Sequence, residues 1–330
     1  MSSRYDEYAQ YERPRRRTRP RTKERPNYDD AAIGKVVTID RGRYTLLLDD
    51  ADGRRIVTAM KSRPLGRKGV VVGDEVRVVG DTGGRPDTLA RIVEVEPRRS
   101  VLRRTADDDD PIERIIVANA EQLVIVAALA DPPPRPSLID RCLVAAYDAG
   151  MTPLLCLTKA DLAPASDLVG SYEPLGVETL VTRHDRSVDE LSDRLRGDTS
   201  VLVGHSGVGK STLVNRLVPD AERETNDVNA VTGRGRHTST SAIALALPEG
   251  GLIVDTPGIR SFGLAHVEPA TLIEAFSDLS AVAADCPRGC THSADEPECA
   301  LDTAVAGGTL DPRRVDSFRR VLASLNTPAY

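Results

Sequence analysis

Hydrophobic positions in the first third of the chain fall in five short runs, separated by Gly and Asp, at residues 33–39, 44–48, 55–60, 75–79 and 89–95. Runs of this length, rich in β-branched residues and bounded by turn residues, predict strands. Five strands in about 65 residues are typical of an OB-type barrel or an SH3-like one. The basic loop 61–68, between the third and fourth strands, is either a phosphate-contacting surface or an ordinary charged loop.

Further along the chain, hydrophobic residues occur in continuous runs without alternation. Such runs predict strands of a parallel sheet that is covered on both faces. The predicted strands are residues 122–129, 153–157, 179–182, 201–203, 242–247 and 252–254, and amphipathic stretches such as 138–149 alternate with them. This alternation predicts an α/β doubly wound domain. The acidic run 106–112, ahead of these strands, is interpreted as a linker.

Length and composition restrict the class of protein to which the chain can belong. The chain has 330 residues, 40% of them hydrophobic, which suits two or three globular domains. No apolar run approaches the roughly 18 residues of a membrane span, and the N-terminus has no secretory apolar region. We therefore expect a cytoplasmic protein that contacts no membrane. Residues 1–30 hold many Arg and Pro without apolar periodicity, which predicts a disordered basic tail that touches phosphate or is merely solvated.

Charge is divided unevenly along the chain. Residues 1–105 hold 25 Lys and Arg against 16 Asp and Glu, a net charge of +9, whereas residues 106–330 carry −15. The overall value of −6 therefore does not exclude a nucleic-acid partner for the first third of the chain. Because the chain has no Trp, three Phe and eight Tyr, we expect little base stacking in such a contact.

A phosphate-binding loop follows the predicted strand 201–203. The pattern G-x-x-x-x-G-K-S-T between a strand and a helix is formed by Gly204, His205, Ser206, Gly207, Val208, Gly209, Lys210, Ser211 and Thr212. The glycines allow backbone N–H groups to surround the β-phosphate. Lys210 is predicted to bridge the β- and γ-phosphates, and the Ser211 hydroxyl to bind Mg²⁺. An ordinary glycine-rich turn would not need Lys-Ser at this spacing.

Two more segments fit the same nucleotide site. The predicted strand 252–254 leads into Asp255, predicted to bind Mg²⁺ through water, and Gly258, predicted to donate its N–H to the γ-phosphate. In the Gly- and Arg-rich segment 233–240, the hydroxyl of Thr238 or Ser239 is predicted to complete the Mg²⁺ shell. The alternatives are a Pro-Gly turn at a strand end and a flexible loop without a ligand role.

A base-reading motif precedes the phosphate loop. The predicted strand 153–157 ends in Thr158, Lys159, Ala160 and Asp161. A carboxylate at Asp161 accepts hydrogen bonds from N1–H and the 2-amino group of guanine, and adenine offers neither donor. The aliphatic stem of Lys159 covers the face of the base. The motif therefore favours GTP over ATP.

Three of the five cysteines lie within fourteen positions near the C-terminus. With a histidine they form the pattern C-x3-C-x-H-x6-C, which consists of Cys286, Cys290, His292 and Cys299. Four soft ligands at this spacing predict a tetrahedral zinc site, and the lack of an open position makes the zinc structural. The alternative is three buried thiols with an incidental histidine. A predicted helix at 311–325 carries two arginine pairs that contact RNA or face solvent.

The order of the motifs resembles that of circularly permuted GTPases, specifically the ribosome small subunit-dependent GTPase A (RsgA or YjeQ) family. The resemblance covers about residues 32–325 and includes GHSGVGKST, GRGRHTST, DTPGIRSFGL and the cysteine cluster. It implies an OB barrel, a permuted GTPase domain and a C-terminal zinc domain. It also implies binding to the small (30S) ribosomal subunit and its 16S rRNA late in maturation, with GTP hydrolysis stimulated by the subunit.

The chain departs from the family pattern at several positions. Thr158 replaces the Asn that usually begins the base motif, so we expect the loss of one contact to the base and to the phosphate loop. Thr182-Arg183 stand where the family has Ser-Ala near the base. Ile259 stands where many GTPases have a water-orienting Gln, and the resemblance makes His237 the catalytic candidate. The alternative is that His237 steadies its loop or touches RNA.

We therefore predict an OB-fold RNA-binding domain at 31–105, a permuted GTPase domain at 106–265 and a helical zinc-binding domain at 266–330. The protein is expected to be a monomeric GTP hydrolase that binds GTP or GDP with Mg²⁺. A P-loop NTPase or kinase acting on a small molecule is the alternative, and the base motif and zinc cluster argue against it. A nucleic-acid-binding protein with a merely structural nucleotide site is a third option, disfavoured by Lys210 and Asp255.

Overall fold

The computed structural model describes residues 27–51, 53–66, 69–105, 113–219, 242–256, 264 and 267–326. The chain divides into two units, Met1–Asp30 and Ala31–Tyr330. In the first unit, the backbone N–H of Asp29 donates to Asn27 Oδ1 at 2.8 Å. Residues 1–26 of the predicted basic tail lie outside the described residues. The barrel, the nucleotide sheet and the C-terminal helices all belong to the second unit.

The second unit begins with a five-stranded barrel. Its strands are β1 (Ala32–Asp40), β2 (Arg43–Asp50), β3 (Gly53–Lys61), β4 (Glu75–Gly80) and β5 (Ala90–Val95). They lie in the order β1-β2-β3-β5-β4, and the pairing of β4 with β1 closes the barrel. Because side chains alternate across a strand, Leu46, Val57, Val76 and Ile92 point into one core. This confirms the OB-like barrel, with strands close to the predicted bounds.

A hairpin that the sequence pattern did not predict follows the barrel. Strand β6 (Val101–Thr105) pairs antiparallel with β7 (Glu113–Ala118). The interpretation of 106–112 as a linker between domains was therefore wrong, because this segment connects the two strands of one hairpin. Its acidic composition is typical of a break between domains, and the pairing partner of β6 lies beyond it in the sequence.

The nucleotide sheet has the predicted α/β architecture. Its strands are β8 (Gln122–Ala128), β9 (Thr152–Thr158), β10 (Glu178–Val181), β11 (Thr199–Val203), β12 (Ile243–Ala246) and β13 (Leu252–Asp255). Their order is β10-β9-β8-β11-β13-β12, and all neighbours are parallel except β12 and β13. Leu123 and Ile125 enter one hydrophobic core, whereas Val124 and Val126 enter the other. Both faces of the sheet are therefore buried.

Helices cover the two faces of the sheet. They are α1 (Pro136–Asp148), α2 (Ser166–Tyr172), α3 (Asp189–Leu195) and α4 (Lys210–Leu217), with a short 3₁₀ turn at Glu173–Leu175. Helix α1 packs into the core that contains Leu123, and helices α3 and α4 pack into the opposite core. The phosphate loop lies between β11 and α4.

Within the described residues, four helices follow the nucleotide sheet: α5 (Pro269–Leu272), α6 (Ser277–Ala283), α7 (Ala300–Ala306) and α8 (Pro312–Ala323), with 3₁₀ turns at Ile273–Ala275 and Ser324–Asn326. They pack on the same face as α1. The ring of Phe276 lies 4.9 Å from Tyr147 of α1 and 5.3 Å from Phe318 of α8, both edge-to-face. The C-terminal helices and the nucleotide sheet therefore share one hydrophobic core.

The barrel is joined to the nucleotide sheet by a strand pairing. β1 pairs with β12 at Thr38 and Ile243, so that eleven strands form one hydrogen-bonded sheet. Beside this junction, a Cβ on Gly73 would lie 1.9 Å from the carbonyl oxygen of Ala118, and the φ of Gly73 is +89°. Glycine is therefore required there. No helix in the described part of the chain is long and apolar enough to cross a membrane.

Candidate nucleotide site and metal cluster

The phosphate loop lies at the carboxyl edge of the parallel sheet. Gly204 packs so closely on β8 that a Cβ would lie 2.5 Å from the carbonyl oxygen of Val126. Gly207 and Gly209 have φ values of +84° and +91°, which glycine adopts without strain. Sterics therefore favour glycine over other residues at all three positions. The loop leads directly into α4, which begins at Lys210.

Lys210 and Asp255 lie in direct contact, as expected for one nucleotide site. Lys210 Nζ donates to Asp255 Oδ1 and, at 3.3 Å, to the carbonyl oxygen of Thr256. The Thr256 hydroxyl donates to the carbonyl oxygen of Leu202 at 2.8 Å, which holds the end of β13 against β11. The Lys210 side chain is 14% exposed. A positive charge therefore lies at the mouth of the loop, beside a carboxylate suited to a hard cation.

The other residues of the loop differ in exposure. Val208 is buried, whereas Ser206 is exposed, and His205 is half-buried with Nδ1 2.9 Å from the carbonyl oxygen of Ser206. Ser211 and Thr212 are exposed in the first turn of α4. Both of these residues are therefore accessible to a ligand.

Thr158 contacts the phosphate loop, contrary to expectation. It is the last residue of β9, and its Oγ1 donates to the carbonyl oxygen of Val208 at 2.6 Å. The side chain is 5% exposed. The predicted loss of the contact to the phosphate loop was wrong, because β9 brings the backbone of Thr158 close enough for a short hydroxyl to reach Val208. The predicted loss of a contact to the base stays a prediction.

The remaining base motif lies beyond the end of β9. Lys159 has a φ of +58°, and its Nζ donates to the carbonyl oxygen of Asp131. The backbone N–H of Ala160 donates to the carbonyl oxygen of Thr182 at 3.3 Å, which ties the motif to the end of β10. The side chain of Asp161 is 20% exposed. The structure thus places the predicted base-reading carboxylate on the same sheet edge as the phosphate loop.

Two residues of this edge were missed by sequence reasoning. His184 Nδ1 lies 3.3 Å from Asp161 Oδ2. The backbone N–H of Asp161 itself is the main cause that holds the pKa of the Asp161 carboxyl below its usual value; burial opposes it, and the side chain of His184 adds a smaller lowering. Arg216, on α4, donates to the carbonyl oxygen of Arg183 at 3.0 Å. The partners of Arg216 are backbone atoms, which leave no mark in a residue pattern.

Four predicted site residues lie outside the described residues. They are the catalytic candidate and three positions near the γ-phosphate and Mg²⁺, namely His237, Thr238, Ser239 and Gly258. Ile259 lies outside as well. Their predicted roles stay predictions.

The predicted metal ligands converge on one point. One ligand atom from each of Cys286, Cys290, His292 and Cys299 lies within 4.8 Å of the others. His292 Nδ1 is 3.6 Å from Cys286 Sγ, 3.4 Å from Cys290 Sγ and 3.9 Å from Cys299 Sγ. In a tetrahedron with Zn–S of about 2.3 Å and Zn–N of about 2.0 Å, the sulfur–nitrogen edge is about 3.5 Å. The cluster fits a structural zinc site.

The protonation chemistry of the cluster agrees with this fit. Burial lowers the pKa of His292, which keeps the imidazole in the neutral form that binds metals. Burial raises the pKa of the Cys290 thiol to about 11, so a bound cation is what would hold it as a thiolate at neutral pH. The backbone N–H of Ala300 lies 3.3 Å from Cys286 Sγ and supports that sulfur from outside the tetrahedron.

Most arginines of α8 are held within the protein. Arg314 forms two hydrogen bonds to Asp278, at 2.9 and 3.0 Å, and Arg319 donates to the carbonyl oxygen of His292 at 3.0 Å. Arg320 contacts Asp140 of α1 and lies 4.8 Å from the centre of the Tyr172 ring. These three residues therefore join the C-terminal helices to the cluster and to the nucleotide domain, a role that neither sequence interpretation included.

A closed five-stranded barrel, a base motif ahead of the phosphate loop and a C-terminal Cys₃His cluster define a circularly permuted P-loop GTPase. The profile of the RsgA GTPase family matches residues 95–265, and the chain belongs to this family. The small ribosomal subunit biogenesis GTPase RsgA of Chromohalobacter salexigens is 40% identical over 270 residues, which cover 79% of this chain and 76% of that protein. The protein of the same name from Pseudomonas aeruginosa (strain LESB58) is also 40% identical, over 79% of this chain and 77% of that protein.

Two solved structures share this fold. The crystal structure of YloQ, described as a circularly permuted GTPase, has a TM-score of 0.66 and 24% identity, and the match covers 93% of this chain and 99% of YloQ. YjeQ from Thermotoga maritima has a TM-score of 0.65 and 25% identity, with 89% of this chain and 98% of YjeQ covered. The match extends over the barrel, the nucleotide sheet and the C-terminal helices together.

Proposed function

We propose that the protein is a GTP hydrolase that binds the small (30S) ribosomal subunit late in its maturation and is stimulated by it. The observation that carries the proposal is the contact of Lys210 with Asp255 on the sheet edge that also holds Asp161. This edge gathers positions for phosphate, cation and guanine. Relatives with 40% identity are named small ribosomal subunit biogenesis GTPases, which supports the choice of partner.

The chain's own residues would bind and orient GTP. Backbone N–H groups of 204–209 and the ammonium of Lys210 would hold the β- and γ-phosphates, and Gly258 would donate to the γ-phosphate. Ser211 and Asp255, with Thr238 or Ser239, would hold a Mg²⁺ ion, which when bound neutralises charge developing on the phosphates. His237 would orient the attacking water. Asp161 would select guanine.

The other parts of the chain would serve the ribosomal partner. The net charge of +9 in residues 1–105 and the basic loop 61–68 suit contact between the barrel and phosphates of the 16S rRNA. Cys286, Cys290, His292 and Cys299 would hold one structural zinc ion in the region 266–330. We place the protein in the cytoplasm as a monomer that binds the subunit with GTP and leaves it with GDP.

The test is nucleotide turnover with and without purified small subunits. We expect GTP hydrolysis to rise when subunits are added, ATP hydrolysis to stay at background, and Lys210→Met to lose at least about 100-fold of the stimulated rate. His237→Ala should lower the stimulated rate at similar GTP affinity, and an unchanged rate would remove His237 from the mechanism. Equal turnover of ATP and GTP without stimulation would contradict the proposed function.

A further inference from the structure

The predicted guanine-reading carboxylate has a partner within the protein. Asp161 Oδ2 lies 3.3 Å from Nδ1 of His184, whose side chain is 75% exposed. Guanine offers Asp161 two donors, N1–H and the 2-amino group, and a carboxylate that accepts both uses one oxygen for each. His184 therefore contacts an atom that guanine would also use.

The position of His184 is set by contacts on both sides of the segment 182–186. The backbone N–H of Thr182 donates to the carbonyl oxygen of Leu157 at 2.7 Å, which continues the pairing of β10 with β9. On the other side, Arg216 donates to the carbonyl oxygens of Arg183 and Arg186. Because Arg216 lies on the helix that begins with Lys210, these bonds tie the segment to the phosphate loop.

Charged groups of its own segment and of the base motif surround His184. Within its own segment, Arg183 and Asp185 form two hydrogen bonds with each other, at 2.9 and 3.1 Å, and the charge of Arg183 also lowers the pKa of Asp161. In the base motif, the ammonium of Lys159 is directed to the carbonyl oxygen of Asp131. A change in the charge of His184 therefore acts on Asp161 through a direct contact and on Asp185 through its charge alone.

We propose that His184 is a specificity-determining residue that shares Asp161 with the base and makes guanine affinity depend on pH. This inference rests on the proposed function, because it assumes that Asp161 reads guanine. Histidine changes its charge between pH 5 and 8. A protonated His184 forms an ion pair with Asp161 that weakens this carboxylate as an acceptor for guanine, whereas a neutral His184 leaves the full negative charge of Asp161 to the base. Guanine binding thus releases a proton, and by linkage its affinity falls as the pH is lowered.

Hypoxanthine, the base of IDP, provides an internal control for this proposal. It has the N1–H of guanine and lacks the 2-amino group, so it occupies one oxygen of Asp161 and leaves the other for His184. The affinity for IDP should therefore depend less on His184 than the affinity for GDP. Titrating groups near the diphosphate act on both ligands alike and cancel in the ratio of the two dissociation constants.

The experiment measures the Kd of the full-length protein for GDP, IDP and ADP by calorimetry between pH 5.5 and 7.5. In the wild type, the preference for GDP over IDP should fall by about two- to fivefold at the acidic end, the size of an exposed ion pair. His184→Gln, which keeps a hydrogen-bond donor and does not titrate, should hold the preference constant. His184→Lys should show the low preference at every pH.

Two results would contradict different parts of the proposal. A wild-type preference that does not change with pH, or an equal change in His184→Gln, overturns the role of His184 while guanine binding stands. If neither GDP nor IDP binds better than ADP, Asp161 does not read the N1–H of the base, and the proposed function fails together with this inference.

Discussion

The nucleotide site and the C-terminal metal cluster are positioned by different forces. All five residues of β11 are buried, and the phosphate loop that follows it leads into α4, which buries Leu213, Val214 and Leu217. In contrast, among residues 284–299, all of which the structure describes, Cys299 alone is buried. The hydrophobic effect therefore sets the shape of the phosphate loop, whereas the cluster segment has little apolar area to hold it.

The two regions therefore depend on different interactions to keep their geometry. The phosphate loop is anchored by the core on either side, through β11 and α4. The cluster segment is tied to the rest of the protein by few contacts, of which Arg319 to the carbonyl oxygen of His292 is one. A shared metal ion would replace the missing core in that segment.

The largest expected effect comes from removing one ligand of the cluster. Cys290→Ser should lose the zinc ion, whose apparent binding free energy in small zinc domains is about 10–16 kcal/mol, and amides of 284–299 should lose protection from hydrogen exchange. Elemental analysis and hydrogen exchange measure the two effects. GDP affinity should change little, because the core that packs α4 against the sheet contains no residue of the cluster.

Cys142→Ala is the matched control, because Cys142 is a buried cysteine of α1 outside the cluster. It should keep one zinc ion per chain and the protection of 284–299. A Cys290→Ser protein that retains stoichiometric zinc and the same protection would show that the cluster segment is held by its own packing.

A smaller effect is expected inside the nucleotide domain. Thr158→Val keeps the side-chain shape and removes the hydroxyl that donates to the carbonyl oxygen of Val208 at 2.6 Å. The unsatisfied buried carbonyl should lower the free energy of unfolding by about 1–3 kcal/mol, measured by urea denaturation. Thr158→Ser retains the donor and should lose less. If both variants are equally stable, the hydroxyl does not support the phosphate loop.

The smallest expected effect is on the stability that the ion pair between Arg314 and Asp278 adds to the C-terminal helices. The Arg314 side chain, by its hydrogen bonds, holds the pKa of the Asp278 carboxyl below its usual value of 3.8. A lowered pKa means that the ionised carboxylate stabilises the fold above pH 3.8, and that this stabilisation is lost as the pH falls through the lowered value. Because the Asp278 side chain is 46% exposed, its contribution at pH 7 should be about 0.5 kcal/mol.

Denaturation of Asp278→Asn and the wild type at pH 7 and pH 3 measures this contribution. The variant should be slightly less stable at pH 7, and the two proteins should converge towards pH 3. A constant difference at both pH values would mean that packing of the residue, rather than its charge, ties α6 to α8.

Local patterns predicted most of the elements and the polar residues of both sites. The five barrel strands, the loop 204–212, the strand ahead of Asp255 and the four cluster ligands were found because each depends on neighbours within about 15 positions of the chain. The hairpin of β6 and β7 was missed because its acidic connection is typical of a linker. The pairing of β1 with β12 was missed because it joins residues 38 and 243, which no local period relates.

Local sequence patterns also missed the roles of several individual side chains. The hydroxyl of Thr158, at the end of β9, reaches Val208 in the loop after β11. Arg216 binds carbonyl oxygens of a distant loop, and Arg320 lies over Tyr172. His184 is adjacent in sequence to the expected base contact at Thr182-Arg183, yet its approach to Asp161 depends on how β9 and β10 end. These contacts depend on the packing of elements, which residue type and spacing do not specify.

The sequence by itself determined the barrel, the α/β nucleotide domain, the permuted order of the nucleotide motifs and the four residues of the Cys₃His cluster. These follow from periodicity, glycine positions and ligand spacing, which are properties of short segments. The tertiary structure alone decided that Lys210 meets Asp255, that Thr158 donates to the phosphate loop, that His184 contacts Asp161 and that Arg314, Arg319 and Arg320 of α8 are held within the protein. Each of these is a contact between distant segments, and burial in a common core is what brings the segments together.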